Sequence, residues 1–186
     1  MKIFVTTIGF LFCSLVLFGQ YEVDWEMHIE SSSVRDMLLT SEGDYLVCGY
    51  LDRVDFGSHF SETDVYAALV SEEGTIIWER TFGGSCQDWA RYCIEIEDGF
   101  IIAGQSCSDD GDLTVNNGGE DLWIIKLSAD GELLWQKTVG ETTLDSVVDM
   151  VKTQDSGFAV LGKSLQKAFT EDDCLLYTSP SPRDRG

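Results

Sequence analysis

The chain has 186 residues, with 33 acidic and 12 basic side chains and a formal net charge of −21 at pH 7. A surface this negative repels nucleic acid and anionic lipid, so we expect neither as a partner. The length is sufficient for one domain with a hydrophobic core. The composition therefore leaves the classes of soluble binding protein, scaffold and enzyme open.

Residues 1–20 have the layout of a signal peptide. A positive start at Lys2 is followed by an apolar run from Ile3 to Phe18, and Gly19 places a small residue near a cleavage point. The run is short for a membrane-spanning helix, which needs about 20 residues. We expect an exported protein, secreted or at the cell surface, without membrane contact after the signal is cleaved.

Four cysteines lie between the two ends of the chain, at Cys48, Cys86, Cys93 and Cys107. An oxidising compartment would allow disulfides, and three pairings are open because spacing alone does not choose among them. Cys48 lies in a strand-like segment, where we expect a small buried apolar side chain.

Residues 21–173 contain an internal repeat with a spacing of 57 residues. Asp, Gly, Trp and Gly recur in the same order, and Asp88 and Asp145 keep the same offset. A second short motif ends at Gly49, Gly104 and Gly162. The recurring positions are Asp64, Gly74, Trp78, Gly83, Gly104, Asp121, Gly131, Trp135, Gly140 and Gly162.

The strand pattern of one repeat is clearest in its second copy. Runs of β-branched and aromatic residues predict strands at 122–127, 133–139, 146–153 and 158–162, with a turn at Gly131. No segment has a sustained helical period, so the fold class is all-β. The 122–127 strand is apolar on both faces, as in a sheet covered on both sides. Trp78 and Trp135 are most simply packing residues, and the recurring Asp and Gly residues form turns.

Four strands per repeat predict a partial β-propeller of four-stranded antiparallel blades. Residues 21–173 would form two complete blades, 64–104 and 121–162, with parts of two others beside them. Residues 174–186 contain CLLYTSPSPRD, which resembles a translated sequencing-library adapter. We interpret this tail as an artefact and expect it to pair with the repeats only by accident.

The variable length lies between the fourth strand of one repeat and the first of the next, at 50–63 and 105–120. Insertions at one position per repeat map to one face, which is often the binding face. In the second of these loops Asp109, Asp110 and Asp112 offer clustered oxygen ligands for Ca²⁺, although the spacing is not that of an EF-hand. The alternative is a solvated, turn-rich loop.

The string D-[LV]-[WY]-x-x-x-[LV]-x-x-x-G-x-[IL]-x-W-x-x-T-x-G, followed by D-[SG]-G-[FY]-x-[IV]-x-G, resembles a family of secreted propeller-repeat proteins of Bacteroidota. The resemblance covers about residues 24–173 and implies a large surface or extracellular protein, often with a C-terminal sorting domain. It implies no catalytic residue, and no cofactor other than the calcium hypothesis arises.

Three functions remain open from the sequence. The first is an extracellular binding or adhesion module for a glycan or another surface protein. The second is a periplasmic assembly scaffold, since the G-x-[IL]-x-W string resembles the repeats of quinone-cofactor propellers. The third is a quinone-dependent or hydrolytic propeller enzyme, but no hydrolase, zinc-protease or nucleotide-binding motif is present.

Overall fold

The computed structural model describes residues 25–29, 32–53, 62–165 and 172–179, and within them it contains β-strands and no helix. The predicted signal peptide at 1–20 lies outside the described residues, as do 180–186 of the tail. No described segment is a helix that could cross a membrane. The strands are β1 (Ser32–Leu39), β2 (Tyr45–Arg53), β3 (Glu62–Val70), β4 (Ile76–Phe82), β5 (Asp88–Ile96), β6 (Gly99–Ser106), β7 (Asp121–Leu127), β8 (Leu133–Val139), β9 (Leu144–Lys152), β10 (Phe158–Leu165) and β11 (Asp172–Ser179).

The strands form three antiparallel sheets in chain order. The first sheet is β1-β2-β3-β4, the second is β5-β6-β7-β8, and the third is β9-β10-β11. The all-β class predicted from the sequence is confirmed. The predicted strand 133–139 matches β8, whereas β9 begins two residues before its predicted start and β10 extends three residues beyond its predicted end.

The second sheet is covered on both faces. Trp123, Ile125 and Leu127 of β7 join one buried cluster with residues of the first sheet. Leu122 and Ile124, on the opposite face of the same strand, join another cluster with residues of the third sheet. The two-sided apolar pattern of this strand therefore reflects its position between two packed sheets, as the sequence indicated.

Each hydrogen-bonded sheet begins half a repeat unit away from the start of the unit predicted from the sequence. The unit 64–104 supplies β3 and β4 to the first sheet but β5 and β6 to the second. The long connections 54–61 and 107–120 therefore join hydrogen-bonded neighbours within a sheet, β2 to β3 and β6 to β7. The four-stranded sheets therefore begin at other points along the chain than the predicted units, because a periodic sequence shows the length of its unit but not where that unit begins.

A recurring contact joins a tryptophan to a glycine turn on the next sheet. The Nε1 of Trp78 donates to the carbonyl oxygen of Ala129 at 2.9 Å, and its ring lies over Gly131. Gly131 has a φ of 78°, and a Cβ there would lie 2.7 Å from the indole, so both conformation and space require glycine. The packing role expected for Trp78 is confirmed, since its side chain is buried.

The same contact occurs at the start of the described chain. The Nε1 of Trp25 donates to the carbonyl oxygen of Glu72 at 2.8 Å, and its ring lies over Gly74, whose φ is also 78°. Trp135 occupies the matching position on β8 and stacks on Phe158 of the third sheet at 6.4 Å. Trp25 therefore contacts a glycine turn of the first sheet in the way that Trp78 contacts one of the second.

β11 contains residues 174–179 of the tail, for which we expected only accidental pairing with the repeats. It pairs with β10 along its whole length, from Leu165↔Asp172 to Phe158↔Ser179. Tyr177 lies 5.9 Å from the ring of Phe158. An open strand edge offers a row of unpaired amides and carbonyls to any nearby extended segment, which explains why an apolar stretch pairs there.

Candidate functional site: a loop end above buried carboxylates

The loop 107–120 is held to the connection between β4 and β5 by a disulfide. Cys86 and Cys107 form this bond, which belongs to one of the three pairings left open by the sequence, but the second bond of that pairing, between Cys48 and Cys93, is not formed. The backbone amide of Cys107 also donates to the carbonyl oxygen of Gln87 at 3.1 Å. Cys48 and Cys93 are free and buried, and the apolar role expected for Cys48 is confirmed.

The three aspartates proposed to bind calcium lie in this loop, and all are exposed. Two of them accept backbone hydrogen bonds: Asp110 Oδ1 from the amide of Ser85 at 2.7 Å, and Asp112 Oδ2 from the amide of Gly83 at 3.0 Å. No group of three or more His, Cys, Asp or Glu residues with metal-binding geometry occurs in the described residues. The calcium hypothesis for Asp109, Asp110 and Asp112 stays a prediction, while two of the three carboxylates fasten the loop.

Below the loop, Asp88 at the start of β5 is the centre of a buried polar network. Its Oδ2 accepts hydrogen bonds from the amide of Gly84 and from Ser108 Oγ, both at 2.8 Å, and its Oδ1 accepts one from Ser106 Oγ. The side chain is fully buried. Burial raises the pKa of Asp88, and the hydrogen bonds from Ser106, Gly84 and Ser108 oppose that rise.

Asp88 faces Asp64 across the junction of the first and second sheets, which we call the first seam. A Cβ on Gly83 would lie 2.5 Å from Asp64 Oδ1 and 2.6 Å from Asp88 Oδ2, so the two carboxylates converge on this glycine. Arg53 Nη1 lies 3.5 Å from Asp64 Oδ1 and donates to the carbonyl oxygen of Gly84 at 2.9 Å. Burial raises the pKa of Asp64, and Arg53 partly opposes this effect.

A second carboxylate pair lies between the second and third sheets, at the second seam. A Cβ on Gly140 would lie 2.3 Å from both Asp121 Oδ1 and Asp145 Oδ2, so these oxygens are separated by at most twice that distance. Both side chains are fully buried. Asp121 Oδ2 accepts from the amide and the Nδ2 of Asn117, at 2.6 and 3.0 Å, and burial raises the pKa of Asp121.

One local device positions three of these aspartates. Asp88, Asp121 and Asp145 each begin or nearly begin a strand, and each accepts a hydrogen bond from the amide four residues earlier. The turn-forming role assigned to Asp121 from the sequence agrees with this contact. The convergence of the carboxylates on Gly83 and Gly140 was not predicted from the sequence. The signal was the shared spacing of 24 residues between Asp64 and Asp88 and between Asp121 and Asp145.

Two grooves of about 470 and 310 Å³ lie on the outer face of the first sheet. Residues 28 and 29 line both of them. Apolar side chains are exposed in the same region, including Val34, Met37 and Leu39. These grooves border segment 25–29 and contain none of the aspartates described above.

Comparison with known proteins gives no further assignment. The chain matches no protein-family model, and no curated protein matches it at a significant level.

Proposed function

We propose that this chain is part of an exported β-propeller that binds a glycan or another surface protein. The binding surface would be the end of the sheets that carries the loop 107–120, which we call the loop end. The observation that carries the proposal is the loop 107–120. It is ordered by a disulfide and by carboxylate-to-amide bonds, yet it leaves polar side chains exposed. A loop held rigid on a sheet scaffold binds with little loss of conformational entropy.

The disulfide supports export. Bonds of this kind persist in secreted and periplasmic proteins, whereas thiols in the cytosol are kept reduced. The Cys86–Cys107 bond lies where β6 ends and the loop 107–120 begins, and β2 ends nearby at Arg53, which donates to the carbonyl oxygen of Gly84. An oxidised, reinforced loop end is therefore the part of the surface best suited to an extracellular ligand.

The propeller part of the proposal rests on the two outer sheets. Each presents apolar side chains outward: Met37 and Leu39 on the first sheet, and Val151 and Leu161 on the third. Trp25 lies on Gly74 as Trp78 lies on Gly131, which supports a further sheet packed before the first. Continued stacking at both ends is what a closed ring of blades provides.

The test is binding of the purified chain to a glycan array and to surface proteins of neighbouring cells. A loop variant, Asp109→Ala with Val115→Ala, removes one exposed carboxylate and one exposed apolar side chain from the loop end. The matched control, Asp130→Ala with Leu134→Ala, makes the same kind of change near the opposite end of β7 and β8.

We expect the loop variant to weaken binding by about tenfold or more, as truncating central contacts does, and the control to bind like the original chain. Equal binding by both variants would place the ligand elsewhere. Loss in the control alone would move the binding surface to the other end of the sheets.

A further inference from the structure

The second seam contains two buried carboxylates without a neutralising partner. Asp121 and Asp145 are fully buried, and the Oδ1 of each has no hydrogen-bond donor in the described part of the chain. The ion pairs found among the described residues involve neither side chain. Two buried, unpaired carboxylates are strongly unfavourable, because each loses its hydration without gaining a counter-charge.

The first seam differs in having a positive charge beside its carboxylate pair, although Asp64 Oδ1 likewise accepts no hydrogen bond. There Arg53 lies 3.5 Å from Asp64 Oδ1 and reaches the backbone at Gly84. β2 ends at Arg53, and the corresponding position after β6 is Ser108, whose hydroxyl donates to Asp88 instead. The second seam therefore has the same converging carboxylates without the guanidinium.

We propose that Asp121 and Asp145 are the carboxylate ligands of a calcium ion at the second seam. Asp121 Oδ1 is unpartnered and faces the Asp145 carboxylate across Gly140, and the two oxygens are close enough for one ion to contact both. Ca²⁺ binds oxygen ligands at about 2.3–2.6 Å and accepts irregular arrangements. Backbone carbonyls of the adjoining loops and water would complete the coordination.

The chemistry of the site favours calcium over other common metals. Thiolate and imidazole ligands select zinc, and neither occurs in a metal-binding group in the described residues. Mg²⁺ keeps several of its waters and requires near-ideal octahedral geometry, which two fully buried side chains accommodate poorly. An affinity of about 10⁻⁴–10⁻³ M, as in extracellular modules, would be sufficient.

The ion would connect the binding loop to the third sheet. Asp121 follows directly on the loop 107–120 and accepts two hydrogen bonds from Asn117 within it. Asp145 is the second residue of β9 in the next sheet, and its amide donates to the carbonyl oxygen of Glu120 at 2.6 Å. Calcium would thus fix the end of the loop at the second seam, as the disulfide fixes its beginning at the first.

The test compares thermal unfolding of the full chain in EDTA and in CaCl₂ at neutral pH. At free calcium about a hundred times the Kd, we expect Tm to rise by about 5–10 °C. Asp145→Asn and Asp121→Asn, each nearly isosteric with the original residue, should abolish the rise. The double variant Asp109→Asn with Asp110→Asn is the control, because it removes two exposed carboxylates of the loop and should keep the rise.

Hydrogen exchange locates the ion without any substitution, so the test remains decisive if a variant does not fold. Calcium should slow amide exchange in 117–121 and 140–145 and leave 83–88 unchanged. Protection confined to 107–112, or loss of the calcium response in the loop control alone, would assign the ion to the loop and overturn the proposal. No response to calcium would also overturn the proposal. If Asp145→Asn then unfolded at a higher temperature than the original chain, Asp121 and Asp145 would share a proton in place of binding an ion.

Discussion

At the first seam, Asp64 and Asp88 meet over Gly83 beside Arg53, and the Cys86–Cys107 disulfide fastens the adjoining loop. At the second seam, Asp121 and Asp145 meet over Gly140 with neither device. The tryptophan at the first seam is also the more firmly packed of the two. Trp78 is buried and hydrogen-bonded, whereas Trp135 at the second seam is half-buried. One arrangement of residues thus gives a covalently and electrostatically secured junction in one place and an uncompensated one in the other.

Replacing the two tryptophans should give the largest difference between the seams. Trp78→Ala would leave a cavity against Phe100 and an unpaired carbonyl at Ala129, and we expect a loss of about 3–5 kcal/mol in the free energy of unfolding. Trp135→Ala should cost about half as much, because its ring is only partly buried. Urea unfolding followed by fluorescence of the other tryptophans measures both. Equal losses would show that the second seam is as tightly packed as the first.

Removing the disulfide should weaken the first seam alone. For Cys86→Ala with Cys107→Ala, closing a loop of this length predicts a loss of about 3 kcal/mol. The control is Cys48→Ala, which removes a buried free thiol at the same junction without removing a cross-link. Hydrogen exchange should become faster in 83–88 and 107–112 but not in 140–145. Faster exchange at both seams would mean that the sheets unfold as one unit.

Substituting Arg53 should make the first seam resemble the second. Arg53→Gln removes the positive charge beside Asp64 and the bond to Gly84, and the side chain is about half exposed, so we expect a loss of about 0.5–1 kcal/mol. Lys126→Gln, which breaks the ion pair with Asp98 at the other end of β7, is the matched control. A calcium-dependent rise in Tm that is larger for Arg53→Gln than for Lys126→Gln would show that the guanidinium occupies a cation position.

The sequence predicted individual strands and turns better than it predicted the boundaries of the sheets and the contacts between them. The strand 133–139 and the turn at Gly131 follow from residue type, because β-branched residues and a glycine with positive φ act locally. The sheet boundaries do not, because hydrogen bonding across β6 and β7 depends on which strands meet in space. For the same reason composition alone assigned calcium to the exposed aspartates of the loop, while the buried pair at Asp121 and Asp145 becomes visible only once two sheets are packed together.

The pH dependence of stability should be the smallest effect, and it tests the first seam. Burial raises the pKa of Asp88 above its usual value of 3.8, so the folded state holds a proton more tightly than the unfolded state. Its contribution to stability is therefore complete below about pH 3.8 and is lost as the pH rises through the folded pKa. The urea concentration at the unfolding midpoint should therefore decrease as the pH rises from the unfolded pKa towards neutral. Asp88→Asn should make this decrease with pH smaller.

The control is Asp109→Asn, which changes an exposed carboxylate and should leave the pH dependence of the urea midpoint unchanged. A slope that is the same in Asp88→Asn as in the original chain would mean that the hydrogen bonds from Ser106, Ser108 and Gly84 hold this carboxylate ionised despite its burial.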